Sequence, residues 1–305
     1  MSISGHERIW TFYLCSVLAI DGLFGADAHG GRPLLHALTH LLLLVIVWSV
    51  PFLVRSPAKL AITRGILTTV GLVFVFSSLA WILPSIHPEP FEHRWVDVDR
   101  AWFGVDPTVW AQRLLLPPLV EVLQFCYAIF YFVPMIAVAT IGVGRGWSAY
   151  QRALETILLG FTVSYLGYLW WPTLPPYRLL EHSIPIRGVW LAETLHEALD
   201  RAEVHRWNCF PSGHTMLSVL SLTMLWRHQR RAFWLLLPGV VLLVASTVVL
   251  RYHYVVDVLA GLVGVVLTLL LARHVVSVND PTNTAKHVTP DGIASHPRSS
   301  AADLC

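Results

Sequence analysis

NCFPSGHT, at residues 208–215, and LRYHYVVD, at residues 250–257, each place one histidine at the end of a strongly apolar segment. In the second stretch Asp257 follows His253 by four residues, and positions i and i+4 of a helix share a face. The Asp257 carboxylate is therefore expected to accept the Nδ1 proton of His253, which leaves Nε2 of the ring able to act as a base or nucleophile. The two stretches thus predict long apolar helices that meet at one polar site.

The first stretch also predicts an anion-binding turn. Pro211, Ser212 and Gly213 favour a turn, and His214 then begins a helix. A helix N-terminus carries N–H groups without intrahelical partners and the positive end of the helix dipole, which together suit a phosphate. One histidine at a helix end is most often structural. Two histidines and a carboxylate at the ends of apolar segments are a candidate functional site, because ionisable groups are costly at membrane depth.

The composition is that of a membrane protein. Of the 305 residues, 55% are hydrophobic and only 13% are charged, whereas ordinary soluble domains contain about 25% charged residues. The net charge of +2 gives no electrostatic support for nucleic-acid binding. The four cysteines are scattered without a CxxC pair, so the sequence predicts no disulfide framework, no metal site and no cofactor. Cys209, beside the first stretch, is predicted to have a packing role.

The apolar segments predict an all-α, polytopic transmembrane helix bundle of six to eight spans. Residues 9–24 are apolar but short and contain Asp21, so they are either a first span or an interfacial helix. We expect an N-terminal segment at 1–33, a transmembrane catalytic bundle at 34–278 and a polar, disordered tail at 279–305. The other segments predicted to cross the membrane are 34–54, 66–86, 121–142, 154–171, 214–226, 232–250 and 254–271.

Two long polar loops, 87–118 and 172–210, lie between these segments, and short helices are predicted within them at 109–116 and 191–202. Asp97, Asp99 and Asp106 of the first loop are expected to be turn or capping residues. The short turns at 55–64, 144–152 and 227–231 contain basic residues and no acidic ones, which places them in the cytoplasm. Alternation of the spans then puts both long loops and both histidines on the opposite face.

The motifs resemble those of the type 2 phosphatidic acid phosphatase superfamily, whose second motif is PSGH and whose third ends in HxxxD. They stand here at residues 211–214 and 253–257. The HYVVD form of the third motif resembles the branch of inositol phosphorylceramide and sphingomyelin synthases. So do DVDRAWFGVDPTVWAQRL at residues 97–114 and the Pro-Pro turn at 174–178. The resemblance covers roughly residues 90–272 and implies the helical core that this superfamily shares with haloperoxidases.

The chain departs from the superfamily pattern at two places. The arginine that usually stands six residues before the histidine of the third motif is replaced by Thr247, and the nearest basic residue is Arg251. The first motif, a lysine followed by Arg-Pro, has no clean match, and Arg178 after the Pro-Pro turn is the best substitute. These departures argue against a standard phosphatidate phosphatase and favour the transferase branch.

The resemblance implies a metal-independent mechanism through a phospho-histidine. His253 would attack the phosphorus of the lipid, Asp257 would hold the tautomer of that ring, and His214 would protonate the leaving oxygen and then activate the acceptor. The phosphate oxygens would be bound by Arg178, Ser212, Gly213 and Arg251. No cofactor is implied.

The sequence leaves several functions open. The preferred interpretation is a lipid phosphotransferase resembling inositol phosphorylceramide synthase, in a bacterial plasma membrane with its site on the extracytoplasmic face. Its partners would be a membrane lipid donor and a lipid or polyol acceptor. A lipid phosphatase acting on phosphatidate or polyprenyl pyrophosphate uses the same intermediate with water as acceptor. A transporter with a proton relay of histidines is the alternative from another class, although His214 and His253 lie at the ends of spans and not at their middle.

Overall fold

The computed structural model describes residues 4–24, 33–86, 91–202 and 207–276, so the predicted tail at 279–305 lies outside the described residues. In these ranges the chain is helical, with 3-10 turns at Gln112–Leu114 and Ile129–Phe132 and no β-strand. The α-helices are, in chain order, α1 (Gly5–Phe24), α2 (Pro33–Leu53), α3 (Pro57–Ile86), α4 (Glu92–Phe103), α5 (Pro107–Ala111), α6 (Pro117–Ala128), α7 (Val133–Arg145), α8 (Trp147–Trp170), α9 (Pro176–Leu179), α10 (Ala192–Ala202), α11 (Gly213–His228), α12 (Arg230–Val249) and α13 (Val255–Val275).

The predicted all-α, polytopic bundle is confirmed, and the protein is an integral, multi-pass membrane protein. Six helical segments of the described chain are long and apolar enough to cross a bilayer. One of them combines α6 and α7, which are joined by the 3-10 turn at Ile129–Phe132. The six segments are Leu34–Leu53, Pro57–Leu83, Pro117–Arg145, Trp147–Trp170, Arg230–Val249 and Val255–Val275.

Helix α11 lies at the centre of the bundle, although it is not one of these six segments. It has only 16 residues, and it packs against α7, α8, α12 and α13. Because other helices enclose it, it does not need an apolar surface on every side. Ser218 and Ser221 are fully buried on it, and the Ser221 hydroxyl donates to the carbonyl of Leu217 within the helix. His214 is thus held at the first turn of the most enclosed helix.

Helix α1 runs along the bundle. Near its start Arg8 donates to the carbonyl of Val275 at the end of α13, and near its end Asp21 lies 3.0 Å from Nδ1 of His36 at the start of α2. Between these points Trp10 is fully buried in a core formed with α2, α3 and α8. Helix α1 is not among the six segments above, and the two alternatives for residues 9–24 stay predictions.

The first long loop is more helical than its composition predicts. Helix α4 was not predicted, and the short helix predicted at 109–116 is replaced by α5 and the 3-10 turn that follows it. Helix α4 is mostly polar and has a single buried apolar side chain, Val96. Its partner is the start of α13, where Asp99 accepts the N–H groups of Val255 and Val256, each at 2.9 Å. Because contacts with a distant helix stabilise α4, its own sequence shows only a weak periodicity of apolar residues, and this is why the helix was missed. The other predicted loop helix, at 191–202, is α10.

Basic residues of the turns predicted to be cytoplasmic lie at the end of the bundle opposite to the motif histidines. His214 is in the first turn of α11, whereas Arg227 is in its last turn. Arg152, Arg227 and Arg273 line a cavity of about 250 Å³ at that far end. This cluster of arginines is the feature from which the positive-inside rule predicts the orientation.

Candidate active site

The PSGH turn is built as a helix cap that also joins the two motifs. Ser212 is the N-cap residue of α11, and its Oγ accepts the N–H of Thr215 at 3.2 Å. The N–H of Ser212 donates to the carbonyl of Asp257 at 3.0 Å. One serine thus satisfies a donor of the first helical turn and fixes the first motif against the third. The N–H groups of Gly213 and His214 remain as first-turn donors without an acceptor inside the helix.

Glycine is required where the helices approach this turn. A Cβ atom on Gly213 would overlap the Tyr168 hydroxyl and would lie 3.0 Å from Oγ of Ser164, both on α8. A Cβ atom on Gly261 of α13 would lie 2.7 Å from the carbonyl oxygen of Ser212. The absence of these atoms lets α8, α11 and α13 converge on the site.

His253 contacts Asp257, but not because the two residues share a helix face, as the spacing predicts. Helix α13 begins at Val255, so His253 precedes it, and Tyr254 is the N-cap residue. Oδ2 of Asp257 accepts the Tyr254 N–H at 2.9 Å and lies 3.3 Å from Nδ1 of His253. The contact therefore arises from a capping turn. Asp257 is fully buried and His253 is 3% exposed.

The two histidines are in direct contact. Nε2 of His253 lies 3.3 Å from Nδ1 of His214. If His253 donates its Nδ1 proton to Asp257, then its Nε2 accepts the Nδ1 proton of His214, and the order is Asp257–His253–His214. The remaining ring nitrogen, Nε2 of His214, is buried and has no hydrogen-bond partner among the described residues. The His214 ring packs on Tyr127 and Phe130, with centroid distances of 4.5 and 4.2 Å.

The two arginines predicted to bind phosphate lie in the loops around this centre, and no hydrogen bond or ion pair joins either of them to the motif histidines in the described chain. Arg251 is buried with φ of 69°, and it donates to the carbonyl of Ile184 in the second long loop. Burial lowers the pKa of Arg251. Arg178 is exposed, and its guanidinium lies over the Tyr177 ring, 5.4 Å from the centroid.

Two further residues contact the site more closely than the sequence predicted. Cys209, predicted to pack, has its Sγ atom 3.0 Å from Oδ2 of Asp257 and 3.4 Å from Nδ1 of His253. The only signal for this in the sequence is its place two residues before the PSGH motif. Asp99 caps α13, as its context predicts, and burial raises the pKa of its carboxyl to about 6 although two N–H donors oppose the shift.

A stack of aromatic rings connects His214 to the second long loop. Tyr127 lies between His214 and Tyr252, with its centroid 3.9 Å from that of Tyr252. The Tyr252 hydroxyl donates to Oε1 of Gln124 at 3.1 Å and also contacts Nδ1 of His196 on α10. Tyr252 lies in the turn between α12 and α13, and His196 lies on α10. Their contact depends on how α10 folds over α6, which their spacing along the chain does not show.

An apolar cavity of about 730 Å³ opens beside His214. Helices α3, α7 and α8 form its walls, mainly with apolar side chains, and Gly213 and His214 lie at one end. Tyr150 and Tyr168, which line it near its two ends, lie about 27 Å apart along α8 at 1.5 Å per residue. The cavity thus follows the bundle over most of the roughly 30 Å hydrocarbon thickness of a bilayer.

A buried Asp–His–His chain beside a lipid-sized apolar cavity fits a membrane enzyme of the kind that transfers or hydrolyses phosphate groups on lipids. A sequence model of the PAP2 superfamily matches residues 93–271, which is more than half of the chain. The protein belongs to this superfamily, that of the type 2 phosphatidic acid phosphatases. The match runs from α4 to α13 and contains both motif histidines, and it leaves α1, α2 and α3 outside. No curated protein and no solved structure matches the chain.

Proposed function

We propose that this protein is a lipid phosphotransferase that moves a phosphate-bearing head group through a phospho-histidine, as inositol phosphorylceramide synthases do. One observation carries the proposal: Asp257, His253 and His214 form a continuous buried chain, and this chain ends beside an apolar cavity of bilayer length. Superfamily membership supports the reaction class, and the geometry supports the choice of residues.

In the first step Nε2 of His253 attacks the phosphorus, and the bond from phosphorus to the lipid oxygen breaks. The ring becomes cationic as the P–N bond forms, and the Asp257 carboxylate at Nδ1 stabilises this charge. His214 enters this step as an imidazolium, gives one proton to the leaving lipid oxygen and becomes neutral. The two rings contact each other at 3.3 Å, so a phosphoryl group bound at Nε2 of His253 replaces that contact.

In the second step His214 removes the proton of the acceptor hydroxyl, and the acceptor oxygen attacks the phosphorus. The P–N bond then breaks, and His253 returns to its neutral form. The aromatic cover of the site favours an alcohol over water as acceptor. His253 is 3% and His214 8% exposed, and the rings of Tyr127 and Phe130 cover His214. A lipid phosphatase, in which water resolves the same intermediate, is the second candidate.

Phosphate oxygens are bound, in this proposal, by the first-turn N–H groups of Gly213 and His214 and by Arg251. Ser212 contributes indirectly, because its N–H and Oγ are engaged within the fold and hold the turn in place. Arg251 has a buried Nε with no partner among the described residues, so the guanidinium keeps donor capacity for an anion. Arg178 is exposed beside the same loops and meets the head group at the entrance of the site.

The arginines clustered at one end of the bundle support the proposed orientation. With Arg152, Arg227 and Arg273 on the cytoplasmic side, the motif histidines face the extracytoplasmic side of a bacterial plasma membrane. Labelling of single cysteines introduced at Arg187 and Arg231 with an impermeant maleimide in intact cells tests this. The proposal requires labelling at Arg187→Cys and protection at Arg231→Cys, and the reverse result would contradict it.

Turnover by the purified protein tests the function itself. Radiolabelled phosphatidate, phosphatidylinositol and a polyprenyl pyrophosphate are each offered with and without ceramide or diacylglycerol, and His253→Ala is the blank. We expect a new labelled phospholipid whose formation depends on the acceptor. Release of inorganic phosphate without need of an acceptor would replace the transferase with the phosphatase. Equal products from wild type and His253→Ala would exclude the site.

A further inference from the structure

Cys209, His253 and Asp257 bring three different ligand types together inside the site. The Cys209 sulfur lies 3.0 Å from Oδ2 of Asp257 and 3.4 Å from Nδ1 of His253, and that nitrogen lies 3.3 Å from the same oxygen. All three side chains are buried. A thiolate, an imidazole and a carboxylate are the ligands that zinc accepts in proteins.

The spacing of these atoms fits one tetrahedral ion. Zinc lies about 2.3 Å from sulfur and about 2.0–2.2 Å from nitrogen or oxygen, so tetrahedral ligands lie about 3.6 Å apart when one is sulfur and about 3.4 Å apart otherwise. The three distances here differ from those values by at most about 0.6 Å. Small side-chain movements are therefore enough to admit the ion.

We propose that Cys209, His253 and Asp257 form a site for zinc, and that the bound ion blocks turnover. The ion is an inhibitor and has no part in the reaction. It occupies the Nδ1 lone pair of His253, and the neutral ring then carries its proton on Nε2. The nucleophilic atom loses its lone pair, and the Asp257 oxygen that orients the ring becomes a metal ligand. Binding releases the Cys209 thiol proton, because the thiolate is the form that binds metal.

The proposal rests on the proposed function for its inhibitory part, but zinc binding is measured without turnover. Protein purified without a polyhistidine tag and stripped with a chelator is titrated with Zn²⁺ against a chromophoric competitor. We expect one tight site, absent for Mg²⁺, which prefers oxygen ligands. Cys209→Ser is expected to lower the zinc affinity of that site at least tenfold. Loss of a residue that only hydrogen-bonds to a metal ligand already lowers metal affinity by about 10–100-fold, and Cys209 would be a ligand itself. Cys126→Ser, which changes another buried cysteine, is expected to leave it intact.

Cobalt gives a readout that needs no variant. Co²⁺ bound through a thiolate shows a sulfur-to-metal charge-transfer band, and we expect this band in the wild type. Equal zinc affinity of wild type and Cys209→Ser, or bound cobalt without the band, would overturn the site.

Inhibition is measured as turnover relative to the zinc-free rate of each variant. We expect half-inhibition at the zinc concentration that half-fills the site. In Cys209→Ser this concentration should rise by the same factor by which zinc affinity falls. Zinc that binds without lowering the rate would overturn the inhibitory part. If no lipid is turned over at all, the proposed function fails while the binding experiments still decide the metal site.

Discussion

Replacement of Asp257 by asparagine separates catalysis from folding. Oδ2 of Asp257 accepts the Tyr254 N–H and contacts Cys209 and His253. The amide oxygen of the asparagine side chain can occupy the same position and keep the helix cap, so we expect the protein to fold. The variant loses the negative charge beside the ring, and this charge matters only when the ring becomes cationic.

The size of the effect follows from the distance. A full positive charge 3.3 Å from the carboxylate is stabilised by about 5 kcal/mol at an effective dielectric constant of about 20. If between half and all of the charge has developed in the transition state, the loss is about 2.5–5 kcal/mol, which corresponds to a ~70- to ~5,000-fold lower kcat.

The assay is kcat per folded molecule in detergent micelles, with the proposed phospho-histidine trapped by an alkaline quench, because its P–N bond is labile in acid. Asp99→Asn is the matched control, because Asp99 also caps α13 from a buried position but does not contact His253. We expect this control to lower the melting temperature and to reduce kcat by less than about fivefold. An Asp257→Asn enzyme with more than a tenth of wild-type kcat, or equal losses in the two variants, would refute the charge argument.

Three further predictions concern the same site. His214→Ala should slow transfer from an alkyl phosphate ester by about 10²–10⁴-fold but lose far less with a p-nitrophenyl leaving group, which departs without protonation; the ratio of the two rates is the measurement. Gly213→Ala forces a Cβ atom into the Tyr168 hydroxyl and should lower both melting temperature and turnover, whereas Gly239→Ala, whose Cβ atom meets only Ile129 at 3.5 Å, should change neither. Because the pKa of Asp99 is raised to about 6, its folded form binds a proton more readily than the unfolded chain. The melting temperature of the wild type relative to Asp99→Asn should therefore rise as the pH falls through 6 towards 4, and a fall over that interval would contradict this.

The residues of the candidate site were predictable to different degrees. His214, His253 and Asp257 were readable because each lies in a short motif at the end of an apolar run. Cys209 was not, because a buried cysteine normally packs like a small apolar residue and nothing in the local pattern shows what it contacts. Its contacts with Asp257 and His253 depend on two chain segments folded onto each other.

The same distinction applies to the elements of the fold. Apolar runs determine spanning helices directly, because a bilayer requires about 20 apolar residues and internal backbone hydrogen bonding. Helix α4 follows a different rule, because it is polar and is stabilised by the hydrogen bonds that Asp99 accepts from two N–H groups at the start of α13. Helix α11 is an intermediate case. The apolar character of its 16 residues predicts a helix, but nothing in the sequence shows that this helix lies at the centre of the bundle.

By itself the sequence determined the membrane class, six of the seven predicted spans and the choice of two histidines and an aspartate as candidate site residues, because hydropathy and short motifs are local properties of the chain. The tertiary structure decided how those residues meet. A capping turn, and not a helix face, brings His253 to Asp257, and the bond from the Ser212 N–H to the Asp257 carbonyl joins the motifs. The apolar cavity beside His214 likewise exists only between packed helices. Such contacts join residues distant in sequence, and the periodicity of one helix carries no information about the register of its neighbours.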